Sequence, residues 1–293
     1  TPFHLMHATE IEIRLPHLRL AAQAWGKPSA KPLLALHGWL DNSASFDAIA
    51  PQLAAEFHVV AIDLPGHGHS EHLPAGTHYH LAAYTEWVLA AARELGWSHY
   101  GLLGHSLGGG IASLVAAAAP ERVTGLWLIE ALGPLADHGD NTLQRFRQAL
   151  QARVRSQRKR IFADPNAALA ARVAASGMAA DHARAIVQRG LRKVSEGYIW
   201  ASDPRLTLPS PTRLTEAQIL ALLAGIEAPT HLLLATPETP YLPMAMMRAR
   251  ANQVRDIQIS TLAGGHHLHI EQTAAVVQRL FPALAVRDQG VGC

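Results

Sequence analysis

The feature that most constrains this chain is a corner, Leu102-Leu103-Gly104-His105-Ser106-Leu107-Gly108-Gly109-Gly110. The apolar run from His99 to Leu103 reads as a buried strand. A helical pattern follows at once: Ile111, Leu114 and Val115, then alanines up to Pro120. Between the two sits a G-x-S-x-G. A strand that turns this sharply into a helix forces the middle residue into a strained backbone conformation. The flanking glycines are needed because a Cβ there would collide with the neighbouring strand and helix. The strain lifts the Ser106 hydroxyl out of the sheet, above the helix N-terminus. There the backbone N–H of Leu107 and the positive end of the helix dipole can meet an oxyanion. Ser106 is therefore the candidate nucleophile.

The chain has 293 residues, of which 49% are apolar and 16% charged. That is enough for one large α/β domain, or a domain with an insertion. Apolar runs break well before the ~18 residues a membrane span needs. No basic-then-apolar leader precedes the first strand pattern. The single cysteine, Cys293, excludes a disulfide within the chain. Together these give the expectation of a cytoplasmic protein. A net charge of +2 is too small an excess to imply a nucleic-acid partner.

Thr9 to Leu15 and Leu18 to Trp25 both alternate, and read as an antiparallel hairpin through Pro16-His17. Leu33 to Leu36, Val59 to Ile62, the strand before Ser106, and Val123 to Ile129 are short apolar runs separated by helical patterns. This rhythm predicts a doubly wound, mostly parallel sheet with chemistry at the carboxyl ends of its strands. From Leu132 to Ile226 the rhythm breaks and helical spacings dominate, as in Leu143, Phe146, Leu150 and Val154. Strands resume at His231 to Ala235 and Ile257 to Leu262, and a helix, Glu271 to Leu284, follows. The expected organisation is a core over 1–131, a helical cap over 132–226 and a second part of the core over 227–293. Arg145, Arg147, Arg153, Arg155, Arg158, Lys159 and Arg160 form a basic run, read as the solvated face of an amphipathic helix.

A serine hydroxyl needs a base within hydrogen-bond reach, and that base needs a third group to orient it. In this topology the base belongs after the final strand, where Gly265-His266-His267-Leu268-His269 stands. Three histidines compete. Gly265 gives His266 the freest backbone, so His266 is favoured, with His267 and His269 as structural neighbours. Two carboxylates compete for the third position. Glu130 ends the apolar strand Leu128-Ile129, where a carboxylate is expensive unless partnered. Glu238 follows the His231–Ala235 strand in a stretch that reads equally as an exposed turn. Glu130 is favoured and Glu238 is the alternative. His37-Gly38-Trp39, after the Leu33–Leu36 strand, supplies a second oxyanion donor in the N–H of Trp39.

The sequence resembles an α/β-hydrolase over nearly its whole length. The resemblance rests on His37-Gly38, Asp63-x-Pro65-Gly66-x-Gly68-x-Ser70, Gly104-x-Ser106-x-Gly108 and Gly265-His266, in that order. More narrowly, the stretch from His37 to Asp47 and Gly265-His266-His267-Leu268-His269 resemble the serine hydrolase-like proteins. The resemblance implies Ser106 as nucleophile, His266 as base, and Trp39 and Leu107 as oxyanion donors. It implies cleavage of a small-molecule carboxylic ester through an acyl-enzyme, with no cofactor and no metal. Other acyl chemistry (lactone, thioester or amide cleavage, or perhydrolysis) and a non-catalytic ligand-binding role are the rival expectations. The family pattern Gly-x-x-Asp after the seventh strand is replaced here by Ala235-Thr236-Pro237-Glu238. Haloalkane dehalogenases are similar in carrying a glutamate where Glu130 stands, but their nucleophile is an aspartate.

Five histidines, His67, His69, His72, His78 and His80, crowd one loop without cysteine or site-like carboxylate spacing, and read as plain loop residues. In the cap, Trp200 is expected to offer an apolar wall, and Asp203 and Arg205 to satisfy one another. Sequence sets no oligomeric state.

Overall fold

The computed structural model describes residues 8–154 and 159–284. Its strands are β1 (Thr9–Leu15), β2 (Leu18–Trp25), β3 (Lys31–Leu36), β4 (Phe57–Ile62), β5 (Tyr100–His105), β6 (Val123–Ile129), β7 (Leu191–Val194), β8 (Gly197–Trp200), β9 (Thr230–Thr236) and β10 (Ile257–Ala263). Eight of them form one sheet in the order β1-β2-β4-β3-β5-β6-β9-β10. β1 and β2 are an antiparallel hairpin closed by Leu15 opposite Leu18, and β2 runs antiparallel to β4. From β4 onward neighbours are parallel.

The central strands are apolar throughout because both faces of the sheet are covered. In β3, Leu34 and Leu36 join one apolar layer, while Leu33 and Ala35 join the other. The first layer is closed by α1 (Leu81–Glu94), through Val88 and Ala92, and by α2 (Leu107–Ala118), through Ile111 and Val115. The second is closed by Phe46, Leu53 and the Val276-Val277 pair of the helix Thr273–Leu280. None of the described helices is long and apolar enough to cross a membrane.

The segment after β6 carries α3 (Thr142–Arg153), α4 (Pro165–Ser176), α5 (Ala180–Gly190), the β7–β8 hairpin and α6 (Glu216–Leu223). It is therefore not wholly helical. Two four-residue strands meet at Ser195-Glu196, too short for their alternation to stand out from helix. Ile219 and Leu223 of α6, with Ile226, belong to the same apolar cluster as Leu102, so this helix packs with the core. On α3 and at its C-terminal cap the predicted stripe faces outward: Leu143, Phe146, Leu150 and the cap residue Val154 are all exposed. Of the basic run, Arg145 pairs with Asp137, Lys159 donates to the Trp200 carbonyl, and Arg160 lies over the Phe162 ring. Arg155 and Arg158 lie outside the described residues.

Polar contacts, some of them buried, tie this segment to the strand ends. Arg189 of α5 donates from Nε to both oxygens of Asp63, at 3.1 and 3.0 Å, and bidentately to Glu10 of β1, at 2.6 and 3.0 Å. Asn42 Nδ2 donates to the Ile186 carbonyl at 2.8 Å, and Trp39 Nε1 to the Leu206 carbonyl at 3.0 Å. Asp203 and Arg205 form the expected pair, and Tyr79 donates a further hydrogen bond to Asp203.

Candidate active site

β5 delivers Ser106 to the sheet's carboxyl edge. Its backbone is left-handed, φ +51°, immediately before α2 begins. The flanking glycines permit this. A Cβ on Gly108 would lie 2.0 Å from the Leu36 carbonyl oxygen, and one on Gly104 would meet Gly108 O at 2.6 Å. The Ser106 N–H still donates to Ile129 O at 3.0 Å, which fixes the corner against β6. The side chain is partly exposed and makes no hydrogen bond among the described residues. The N–H groups of Leu107 and Trp39 likewise find no acceptor among those residues.

β6 delivers Glu130, again with a left-handed backbone, φ +55°, and with its N–H donating to Leu233 O at 2.9 Å. The side chain is 2% exposed. Oε1 accepts from the Ala235 N–H at 2.6 Å, and Oε2 from the Thr239 hydroxyl. The third partner of this carboxylate is His266 Nδ1, 3.0 Å from Oε2. Burial pushes the Glu130 pKa up, but hydrogen bonds from His266, Thr239 and the Ala235 amide outweigh it and hold the group below its ordinary value. An ionised carboxylate only accepts, so Nδ1 carries the proton and, in the neutral ring, Nε2 is the accepting nitrogen. Nε2 faces the Tyr241 hydroxyl at 3.3 Å.

Glu238 lies elsewhere. Its Oε2 accepts the Met244 N–H, at 2.6 Å, at the start of the next helix. Of the two candidate carboxylates, Glu130 is the one placed against His266. His266 and Ser106 make no direct hydrogen bond; their loops meet through His105, whose Nε2 lies 2.8 Å from the His266 carbonyl oxygen. The neighbouring histidines have other partners. His267 Nε2 faces Asp41 Oδ2 at 3.3 Å, and His269 Nε2 faces Ser45 Oγ at 2.8 Å.

His37 is fully buried beneath the Trp39 loop. Its Nδ1–H donates to Gly38 O at 2.8 Å and its Nε2 accepts from the Leu64 N–H at 2.9 Å, an arrangement that holds the loop's shape. Burial lowers its pKa. His67 packs edge-on against it, and burial pushes its pKa down to about 3. Among the described residues the five loop histidines do not converge on a common point.

A cavity of about 260 Å³ lies between the Leu40–Asn42 turn and the inserted segment. Its walls include Leu40, Phe162, Ile186 and Trp200, with Arg160 and Arg172 as its cationic groups. Trp200 takes the position of an apolar wall, stacked edge-on against Phe162.

A family model described as the alpha/beta hydrolase fold matches residues 31–207. The chain belongs to the alpha/beta hydrolase family. Over 275 residues it is 32% identical to a serine hydrolase-like protein of Dictyostelium discoideum, covering 88% of this chain and 76% of that protein. A serine hydrolase-like protein of Danio rerio is 29% identical over 280 residues, covering 92% and 86% respectively. Among solved structures, a hypothetical protein of Pseudomonas aeruginosa is 40% identical, with a TM-score of 0.88 over 96% of this chain and 99% of that one. Two contacts of the His266-His267 pair are announced by no local motif. Tyr241 sits in a proline-flanked turn that carries no motif, and Asp41 meets His267 across 226 positions.

Proposed function

We propose that this hydrolase cleaves carboxylic esters of small molecules through an acyl-enzyme on Ser106. Glu130 holds His266 in the tautomer with Nδ1 protonated. Nε2 then takes the Ser106 proton as the hydroxyl oxygen attacks the ester carbonyl. The N–H groups of Trp39 and Leu107 receive the developing oxyanion. The imidazolium gives its proton to the leaving alcohol. Water enters, loses a proton to His266, and the acid departs as the Ser106 oxygen is reprotonated. The Tyr241 hydroxyl must move off Nε2 before the cycle starts; such hydrogen bonds commonly tighten or exchange only when substrate binds.

The observation that carries the reading is the pairing of His266 with an ionised, buried Glu130, one loop away from the Ser106 corner. The test is labelling by a fluorophosphonate, followed by mass spectrometry and turnover of short nitrophenyl esters. One adduct on Ser106 is expected, with labelling and turnover both abolished in Ser106→Ala. A protein that is never labelled, or whose turnover survives Ser106→Ala, overturns the proposal.

A further inference from the structure

Beside the His266–Glu130 pair lies a second polar group that the proposed chemistry does not use. Asp41 and His267 come from the loops after β3 and β10, His105 is the last residue of β5, and all three are buried. One ligand-type atom from each lies within 4.8 Å of the other two. His105 has the unusual environment. A carbonyl oxygen only accepts, so the 2.8 Å contact to His266 O makes Nε2 the protonated nitrogen. In the neutral ring Nδ1 is then a bare lone pair. This Nδ1 is buried, on a side chain 1% exposed, and has no hydrogen-bond partner. It faces Asp41 Oδ2, a second lone-pair atom, at 3.9 Å. No proton lies between them to share. His267 Nε2 lies 3.3 Å from the same oxygen and donates its proton there when no ion is bound; a cation takes that place as the ring proton moves to Nδ1 or is released.

From this geometry we infer that Asp41 Oδ2, His105 Nδ1 and His267 Nε2 form a binding site for one divalent transition cation of the zinc type. Metal–ligand bonds of about 2.0–2.1 Å in a tetrahedral shell put donor atoms about 3.3 Å apart. The separations from Asp41 Oδ2, 3.3 and 3.9 Å, need small closure to reach this, and the two imidazole nitrogens, within 4.8 Å of one another, must draw together as well. Two imidazoles and one carboxylate are a donor set that suits zinc, cobalt or nickel, with a fourth position left for water. Space beside the donors is kept by Gly38, where a Cβ would sit 2.9 Å from His105 Nδ1 and 3.2 Å from Asp41 Oδ2. The outer contacts have the form that metal-bound histidine and carboxylate usually show. His105 Nε2–H donates to a carbonyl, and the other Asp41 oxygen accepts from Arg172. Asp41 also lines the 260 Å³ cavity, which gives an ion a route in. A bound cation would staple the three loops that carry Trp39, Ser106 and His266. The positive charge of Arg172 on the far oxygen opposes the ion and keeps its binding moderate.

The test uses the full chain, stripped with a chelator and titrated with Zn²⁺ by calorimetry and with Co²⁺ by visible absorption. One equivalent is expected to bind, with the d–d bands of a low-coordinate cobalt site. Asp41→Asn and His267→Gln are each expected to weaken it at least tenfold, while a His78→Gln/His80→Gln double variant, altered only on the surface loop, leaves it unchanged. Unaltered binding in folded Asp41→Asn and His267→Gln, or binding lost with the loop histidines, overturns the inference. Should both buried variants fail to fold, anomalous diffraction from wild-type crystals soaked in Zn²⁺ decides. A peak bonded to the three named atoms supports the site, and peaks only at surface histidines overturn it. None of these readouts depends on ester turnover, so failure of the proposed hydrolysis leaves them intact.

Discussion

Glu130→Gln isolates what the carboxylate does for His266. The Ala235 N–H donates to Oε1 at 2.6 Å and can only donate. Glutamine must therefore put its carbonyl oxygen there. Its NH₂ is then left facing the Thr239 hydroxyl and His266 Nδ1, where Oε2 now stands 3.0 Å from the ring. An amide donor at that place demands a lone pair on Nδ1, and the imidazole proton moves to Nε2. The nitrogen meant to accept the Ser106 proton is then already occupied. A triad held in the wrong tautomer loses about ten-thousandfold in rate, or about 5.5 kcal/mol of barrier. The side chains are nearly the same size, so the fold should survive, and a melting curve checks that. Turnover of a chromogenic ester and the rate of fluorophosphonate labelling should fall together. ¹⁵N NMR of the ring should show the proton on Nε2. Glu238→Gln serves as comparator, since its carboxylate only accepts the Met244 N–H, and its turnover should stay within about threefold of wild type. Glu130→Gln within tenfold of wild type, or Glu238→Gln as the dead variant, would refute the reasoning.

Arg189→Leu should cost about 3 kcal/mol in urea denaturation, the lower end for breaking a buried ion pair, because the fully buried Asp63 keeps the Ser43 and His69 amides as donors; a loss below about 1 kcal/mol contradicts this. Burial raises the Asp63 pKa, but Arg189 and those amides outweigh it and hold the group below its ordinary value. Its stabilisation is therefore present above the unfolded carboxylate's pKa of about 3.9 and lost as pH falls through the native value. The stability gap between wild type and Asp63→Asn should accordingly persist at neutral pH and close only below about pH 4. Tyr241→Phe removes the hydroxyl at 3.3 Å from His266 Nε2; with about 1 kcal/mol at stake, turnover should rise by up to about fivefold, and a tenfold fall would assign Tyr241 a positive role in the chemistry.

Much of the core could be read directly because its signals are local. The Ser106 corner declares itself by two glycines whose absent side chains leave room for the Leu36 and Gly108 carbonyls. Glu130 is legible for a related reason: a carboxylate closing an apolar strand must find donors, and it finds three. What could not be read are contacts between distant loops. Nothing in the neighbourhood of His105 announces that its Nδ1 faces Asp41, 64 positions earlier. Arg189 is one arginine among several until α5 carries it onto Asp63 and Glu10. The apolar residues of α3 and its cap show a limit of another kind. Their spacing is that of a buried face, yet Leu143 is 59% and Val154 87% exposed. Periodicity sets which residues share a side, and only packing sets what that side meets.

Three non-glycine residues among those described have left-handed backbones, Leu40, Ser106 and Glu130, and all three stand at this one edge of the sheet. Each such residue costs on the order of 1–3 kcal/mol, against a total stability of about 5–15 kcal/mol. The sheet supplies the restraint that makes this tolerable. Ser106 and Glu130 each donate their N–H to the next strand, to Ile129 O at 3.0 Å and to Leu233 O at 2.9 Å, one rung beyond the strand's last residue. The ladder holds the amide while the chain turns away, so the side chain is thrown over the edge rather than into either apolar layer. Leu40 is pinned in the same manner by a tight turn, Asp41 N–H to Gly38 O at 3.1 Å. β3, β5 and β6 are adjacent, so the three kinks stand side by side. His266 comes from β10 and must cross the end of β9 to join them; the Gly264 N–H, bonded to Thr236 O at 3.1 Å, marks the crossing. The end of β9 therefore sets two things at once, the donor that orients Glu130 through Ala235 and the path that brings His266 to it. A change confined to Ala235–Thr236 should move the acid and the imidazole together, whereas a change in the Trp39 loop should leave their 3.0 Å contact undisturbed.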